Sequence, residues 1–377
     1  MFVQLSKPSV SSREIKSVAK VILSGYLGMG PKTKEFENDL SNFFGRQAVC
    51  TSSGTSALHI ALQAIQPPNN KKNEVLVPSL TYAASYQAIS AAGLKPISCD
   101  INPKTLNICF KDIQKKMNRK TLAIMPVHYS GDPSGIVKIN SFAKKHKIRV
   151  VEDAAHAMGS SYKNRLVGSF GDIACFSFDG IKNITCGEGG AIVSNDAEVL
   201  TRASDIRTLG IIGDSARRTE GKRSWSFDIA EQGYRYHMSD INAAIGVIQL
   251  KRFPSFQTKR RLLAKHYDDI FNNSPFISTF KRDYDEVTPH IYAVKLVVPH
   301  SREELQRFLL AQGIQTGYHY FPNHRLTFFQ KKGEVLPVID SIFPNLLTLP
   351  SHVGVSKKDV KLIHKAINCF YSERRSA

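Results

Sequence analysis

The chain has 377 residues, 42% of them hydrophobic, with 51 lysines and arginines against 32 acidic residues for a net charge of +19. That length suits two domains, or one large domain with an appendage, and no apolar run approaches the roughly 18 to 20 residues needed to span a membrane. The charge would suit nucleic acid, an anionic membrane surface or a phosphorylated substrate, but the cations lie in dispersed pairs such as Lys71-Lys72, Lys144-Lys145 and Lys331-Lys332, which reads as solvated surface.

The opening "MFVQLSKPSVSSREIK" lacks the apolar core of a signal peptide. In "SSREIKSVAKVILSG", Ile15, Val18, Ala19, Ile22 and Leu23 fall at helical spacing behind a serine cap, and Gly25 supplies the stop. Short β-like runs then alternate with amphipathic stretches: "QAVC" before "TSALHIALQAI", "EVLVP" before "TYAASYQAISAAG", "LKPISCD", "TLAIMPVH" before "GIVKINSFAKKH", and "KIRVVED". This alternation predicts βα units around a mostly parallel sheet. "DIACFSF" and "GAIVSND" are separated by a short loop only, which points to an antiparallel strand in that part. After the helix-like "SDINAAIGVIQLKRF" the pattern is helical, strand-like at "IYAVKLVV" and helical again at "SREELQRFLLAQG", placing a domain boundary near residue 250. The six cysteines show no CxxC spacing and mostly lie in strand-like runs. They read as reduced thiols of a cytoplasmic protein, with no disulfide frame and no metal site.

Ligands of open parallel sheets bind beyond the carboxyl ends of the strands, so the residues just past each strand are the ones to inspect. In "TSSGTSALHIAL", Gly54, Thr55 and Ser56 stand at a helix start, where free N–H groups and the positive end of the dipole offer an anion site; taken alone, the stretch reads first as an ordinary serine or threonine cap with a glycine turn. Asp153 and His156 in "VVEDAAHAMGSSY" suit a carboxylate for a cationic ring nitrogen and a donor to a phenolic oxygen, or else a capped helix N-terminus. Ser177 ends a strand and Lys182 follows in its loop. Loop lysines are usually solvated, but the run Gly187-Glu188-Gly189-Gly190 lets backbone approach a ligand closely, and a Schiff-base lysine belongs in such a water-screened place. Tyr82 is placed to lie on a ring, or to be a core tyrosine. Together these positions supply a phosphate cup, a pyridinium carboxylate, a stacking aromatic and an imine-forming lysine, the set that pyridoxal 5'-phosphate (PLP) requires.

The order SGTSAL, EDAAHAMGSSY, FSF followed by Lys182 and GEGGAIVSND, then GYRYHMSDINAAIGVIQL, resembles the DegT/DnrJ/StrS family of nucleotide-sugar aminotransferases. The resemblance runs from "GYLGMGPKTKEFE" to "LPSHVGVSKKDV". It implies an α/β fold of fold type I: a large PLP-binding domain over 1–250 with a central mostly parallel sheet between helices, and a smaller C-terminal α+β domain over 251–377. It implies that Lys182 bonds the cofactor covalently, Asp153 holds the pyridine nitrogen and His156 neighbours the phenolic oxygen. Thr55, Ser56 and Ser177 match the phosphate contacts, and Tyr82 the stacking aromatic. Arg235 stands where many relatives have an asparagine reaching the neighbouring subunit's cofactor phosphate. His319 and His324 in "GYHYFPNH" match a loop that reaches substrate in relatives, and a surface turn is the plain alternative.

The implied reaction is a ping-pong transfer of an amino group, from L-glutamate to a keto group of a nucleotide-linked sugar, in a cytoplasmic homodimer with shared active sites and no nucleic-acid or membrane partner. Its product would serve O-antigen, other lipopolysaccharide or capsule, or a secondary metabolite. The sugar 3-dehydratases of the same family carry histidine in place of the lysine, so Lys182 argues against that chemistry. A PLP-binding regulator is the alternative of another class; the enzyme-like motifs begin within the first 60 residues, ahead of any room for a DNA-binding domain.

Overall fold

The computed structural model describes residues 2–67, 71–220, 222, 226–298 and 301–376. Its helices are α1 (Ser12–Ser24), α2 (Pro31–Phe44), α3 (Gly54–Ala64), α4 (Ala83–Ala91), α5 (Phe110–Lys116), α6 (Ile136–His146), α7 (Ala197–Ile206), α8 (Asp214–Thr219), α9 (Asp240–Phe271), α10 (Arg302–Ala311), α11 (Pro337–Ile342) and α12 (Lys357–Ser376). Seven strands form the main sheet: β1 (Gln47–Thr51), β2 (Glu74–Pro78), β3 (Lys95–Cys99), β4 (Thr121–Ile124), β5 (Arg149–Asp153), β8 (Ile173–Ser177) and β9 (Gly190–Ser194). A small hairpin, β6 (Ser161–Tyr162) and β7 (Arg165–Leu166), lies between β5 and β8 in sequence, and β10 (Ile277–Thr279), β11 (Tyr292–Leu296) and β12 (Leu346–Leu349) form a second, antiparallel sheet.

The main sheet has the order β1-β9-β8-β5-β4-β2-β3. Only β9 runs against the others, pairing antiparallel with β1 and β8, as the short loop between "DIACFSF" and "GAIVSND" requires. Alternate side chains supply opposite layers, so Val49 and Val151 join the core under α3, α4 and α7, whereas Cys50 meets α2 and α9, and Val150 meets α5 and α6. Both faces are therefore covered, as a parallel sheet requires.

Local signals set the helix ends. Ser11 and Glu14 form a capping box on α1, and Gly25 closes it at φ 74°. The apolar side of α1 faces outward: Ile15, Ile22 and Leu23 are exposed, and only Glu14 and Val21 are buried. Asp240, at the start of α9, accepts hydrogen bonds from the backbone N–H groups of Gly30 (2.8 Å), Lys32 (3.0 Å) and Thr33 (2.9 Å) and from the Thr33 hydroxyl (2.8 Å). One buried carboxylate thus satisfies the N-terminus of α2 and fixes it against α9.

Helix α9 has 32 residues and contains Pro254, so residue 250 falls inside a single helix. Val247, Phe253 and Phe256 join a core built on the main sheet, and further along Leu263, Ala264, Tyr267 and Phe271 join the core built on the second, antiparallel sheet.

Candidate active site

Strands β1, β2, β4, β5 and β8 deliver their following residues to one cavity of about 430 Å³. Ser53, Gly54 and Thr55 come from the β1 end, Thr81 and Tyr82 from β2, Val127 from β4, Asp153 and His156 from β5, and Ser177, Asp179 and Lys182 from β8. This is the crevice at the carboxyl ends of a parallel sheet where ligands of such folds bind.

The anion end is built on α3. Ser53 caps the helix, accepting from Ser56 N–H at 3.1 Å, while the Ser56 hydroxyl accepts from Ser53 N–H at 2.9 Å. The first-turn N–H groups of Gly54 and Thr55 have no intrahelical partner, which leaves them to an anion. Gly54 is needed for close packing: a Cβ there would lie 2.7 Å from Ser177 Cβ. Gly190 is needed for the same junction, since its Cβ would lie 2.3 Å from the Ser53 carbonyl oxygen.

At the other end stands Lys182. Desolvation of its ammonium lowers its pKa from 10.5 to about 8, against the opposing pull of Asp153 and Asp179. Asp153 Oδ1 accepts from Ala155 N–H at 3.2 Å and Oδ2 from the Ser85 hydroxyl at 2.7 Å. His156 is buried and held neutral, its pKa pushed well below 6.5 by burial and then by Lys182 and His319. The backbone N–H of Ser130 donates to His156 Nδ1 at 3.4 Å, so Nε2 bears the ring proton and faces the Tyr320 hydroxyl at 2.8 Å. Tyr82 lines the mouth with 61% of its surface exposed, its ring centroid 5.4 Å from that of Tyr320.

Of the residues singled out in the sequence, Gly54, Thr55, Tyr82, Asp153, His156, Ser177, Lys182 and His319 meet in this cavity. His319 accompanies His156, its pKa lowered to about 4 by burial and by Lys182. Three others lie elsewhere. The Ser56 hydroxyl is consumed by the α3 cap and the residue is buried outside the cavity lining. His324 is buried against Ser79 Oγ (2.7 Å) and Asp340 (3.2 Å), so it supports the loop after β2 instead of facing the cavity. Arg235 is exposed and lies outside this chain's own cavity. Sequence reasoning missed Ser53, Thr81, Asp179, Glu188 and Tyr320 as cavity residues. Ser53 stands one residue before Gly54, just past β1, and was within reach of the strand-end rule, whereas Tyr320 follows no strand and was reachable only through the quoted "GYHYFPNH".

A lysine made less basic by burial, in one cavity with a carboxylate and an anion cradle, on a seven-stranded sheet with one reversed strand, is the arrangement of the fold type I PLP-dependent aminotransferases. The family model "DegT/DnrJ/EryC1/StrS aminotransferase family" matches residues 8–368, and the chain belongs to that family. Among solved structures, the chain is similar to Helicobacter pylori PseC, an aminotransferase involved in pseudoaminic acid biosynthesis, at 26% identity with a TM-score of 0.91, covering 99% of this chain and 100% of that one. It is similar to the PLP form of Spr1654 from Streptococcus pneumoniae at 28% identity and TM-score 0.90, covering 99% of each. DesI, solved in the presence of its TDP-sugar product, matches at 25% identity and TM-score 0.86, covering 100% of this chain and 96% of DesI.

Proposed function

We propose that the chain is a nucleotide-sugar aminotransferase that moves the amino group of L-glutamate onto a keto group of a nucleotide-linked sugar. The observation that carries this reading is Lys182, which shares one cavity with Asp153, Ser177 and the first turn of α3 and whose pKa desolvation lowers from 10.5 to about 8. The residues present fit PLP: the first turn of α3 and Ser177 would hold its phosphate, Asp153 its ring nitrogen, His156 would neighbour its phenolic oxygen, and Tyr82 would cover one face of its ring. Lys182 would anchor it covalently. When bound, PLP supplies an electron sink for the charge left when a Cα proton is removed.

The chain's own residues do the remaining work. Lys182 Nζ takes the proton from the donor carbon and returns it, a role that needs a base poised near working pH. Asp153 keeps a proton on the ring nitrogen by favouring its charged form. His156, neutral, directs Nε2–H at the Tyr320 hydroxyl, and Tyr320 and His319 line the cavity beside it.

A nucleotide-linked sugar as substrate is supported by the relatives: DesI was solved with its TDP-sugar product, and PseC acts in pseudoaminic acid biosynthesis. A diphosphate-bearing substrate also suits a chain with a net charge of +19. The product would enter a surface polysaccharide such as O-antigen or capsule, or a secondary metabolite. The six free cysteines are consistent with a reducing, cytoplasmic setting, and no helix among the described residues is long and apolar enough to cross a membrane.

A homodimer with shared sites fits the exposed apolar surfaces of Ile15, Ile22 and Leu23 on α1 and of Leu209, Ile212, Phe227 and Ile229. The second group surrounds the strand bridges Thr208–Arg235 and Ile211–Ile229, so Arg235 would reach a partner's cavity, not its own. The test is the absorption spectrum of the PLP-loaded protein before and after L-glutamate. Replacement of the visible band by the near-ultraviolet band of pyridoxamine phosphate supports the reading, and its loss in Lys182→Ala ties it to the lysine. An unchanged spectrum in the wild type refutes it.

A further inference from the structure

Asp153 is held from two sides by elements far apart in sequence. Its Oδ1 takes the Ala155 N–H of its own loop at 3.2 Å, and its Oδ2 takes the hydroxyl of Ser85, 68 residues away in the first turn of α4, at 2.7 Å. Ser85 is fully buried and lies behind the cavity wall, whereas Thr81 lines it. The Thr81 and Ser85 hydroxyl oxygens are 2.7 Å apart. Ser85 has one proton and gives it to Asp153, so Thr81 is the donor in that second contact. The result is a directed chain, Thr81 to Ser85 to Asp153, in which each hydroxyl polarises the next.

We propose that Ser85, with Thr81 behind it, is the positioning residue that fixes the plane of the Asp153 carboxylate toward the cofactor's ring nitrogen. This rests on the PLP reading given above. A carboxylate on a free side-chain torsion swings; one bonded on each oxygen from a different element does not, and its remaining lone pairs point one way. The donor's neutrality matters as much as its place. A lysine or arginine at Ser85 would also orient Asp153 but would compete with the ring cation for its charge, whereas a hydroxyl orients it and leaves that charge to the ring.

The loop carrying Thr81 is itself clamped. Asn323 Nδ2 donates to the Thr81 carbonyl at 2.7 Å, Asn323 N–H donates to the Ser79 carbonyl at 3.0 Å, and His324 Nδ1 is 2.7 Å from Ser79 Oγ. The "FPNH" segment of the small domain thereby reaches Asp153 through three successive contacts.

The experiment compares PLP affinity, the pH profile of the visible band and half-reaction kinetics with L-glutamate in wild type, Ser85→Ala, Ser85→Thr, Thr81→Val, Asp153→Asn and the Ser85→Ala/Asp153→Asn double variant. Losing a hydrogen bond to a charged group predicts about tenfold weaker PLP binding and a half-reaction rate about 10- to 100-fold lower in Ser85→Ala, with the glutamate KM within about twofold. The pH profile of the band shifts as well, and Ser85→Thr restores both readouts. In the Asp153→Asn background, Ser85→Ala adds less than about twofold. Thr81→Val keeps Ser85 and removes its donor, giving a smaller change in the same direction, and it remains informative where Ser85→Ala does not fold. Normal wild-type PLP uptake with unchanged affinity and pH profile in Ser85→Ala or Thr81→Val overturns this inference alone. Equal Ser85→Ala effects with and without the Asp153 carboxylate do the same. Failure of the wild type to take up PLP overturns the cofactor reading with it.

Discussion

Replacing Lys182 by methionine removes a desolvated ammonium while keeping the length of the side chain. The pKa falls from 10.5 to about 8 in the folded chain, and each unit is worth about 1.4 kcal/mol, so the folded protein carries about 3 kcal/mol of unfavourable ammonium burial at neutral pH. The unfolded chain binds the extra proton between those two pH values. Stability linked to Lys182 is therefore present in full above about pH 10.5 and lost as pH falls through about 8. Cofactor-free Lys182→Met is expected to be more stable than cofactor-free wild type by about 1–3 kcal/mol near pH 7, the lower end allowing for relaxation around methionine. That advantage shrinks toward zero as pH is raised to about 10.5. Urea unfolding of both proteins at about pH 7, 8.5 and 10 measures the difference directly, and titrations common to both cancel. A methionine variant no more stable than wild type near pH 7, or a gap that does not change with pH, would refute the desolvation argument. The result would also show stability given up for a reactive amine, a trade common at active sites.

Gly190→Ala sets a Cβ 2.3 Å from a backbone oxygen of Ser53, which cannot move without moving the α3 cap. Overpacking of this kind costs about 1–3 kcal/mol, and PLP titration should show affinity reduced at least about tenfold. Asp240→Ala strips four hydrogen bonds from the α2 terminus and is expected to lower stability by about 3 kcal/mol in urea unfolding; a change below about 0.5 kcal/mol contradicts the assigned role. Glu14 is opposed by burial, but hydrogen bonds from Ser11, Arg252 and Gln249 outweigh it and lower its pKa from 4.5 to about 2. Its contribution is present above about pH 4.5 and lost as pH falls through about 2, so Glu14→Gln should destabilise the protein near neutral pH and flatten the acid limb of its stability profile.

The parts of the site that follow from chain-local chemistry were legible in the sequence. Asp153 and Ser177 end their strands, Lys182 and Gly54 stand in the segments that follow, and a parallel sheet gathers strand ends wherever the strands are ordered in space. The capping serine and terminal glycine of α1 were legible for the same reason. What was not legible depends on contacts between distant segments. Ser85 reads as an ordinary residue of an amphipathic helix until β5 sets Asp153 beside it. His324 carries the right motif for a substrate contact, but Asp340 and Ser79 bury it. The outward apolar side of α1 shows that a 3.6-residue period identifies a helix without saying which side meets this chain's own core. The boundary set near residue 250 falls inside α9, which continues past Pro254 and gives side chains to two cores.

Helix α9 also determines how this protein can be recombined. A crossover within residues 240–271 would join one parent's Val247, Phe253 and Phe256 to another parent's Leu263, Tyr267 and Phe271 on a single rod, whose rotation about its axis is fixed by both sets at once. Any mismatch in register would then be carried from one half into the other. Chimeras that exchange the C-terminal portion among relatives should keep the rod intact and place the junction outside it, and the same constraint binds any gene fusion that shuffles these halves in nature.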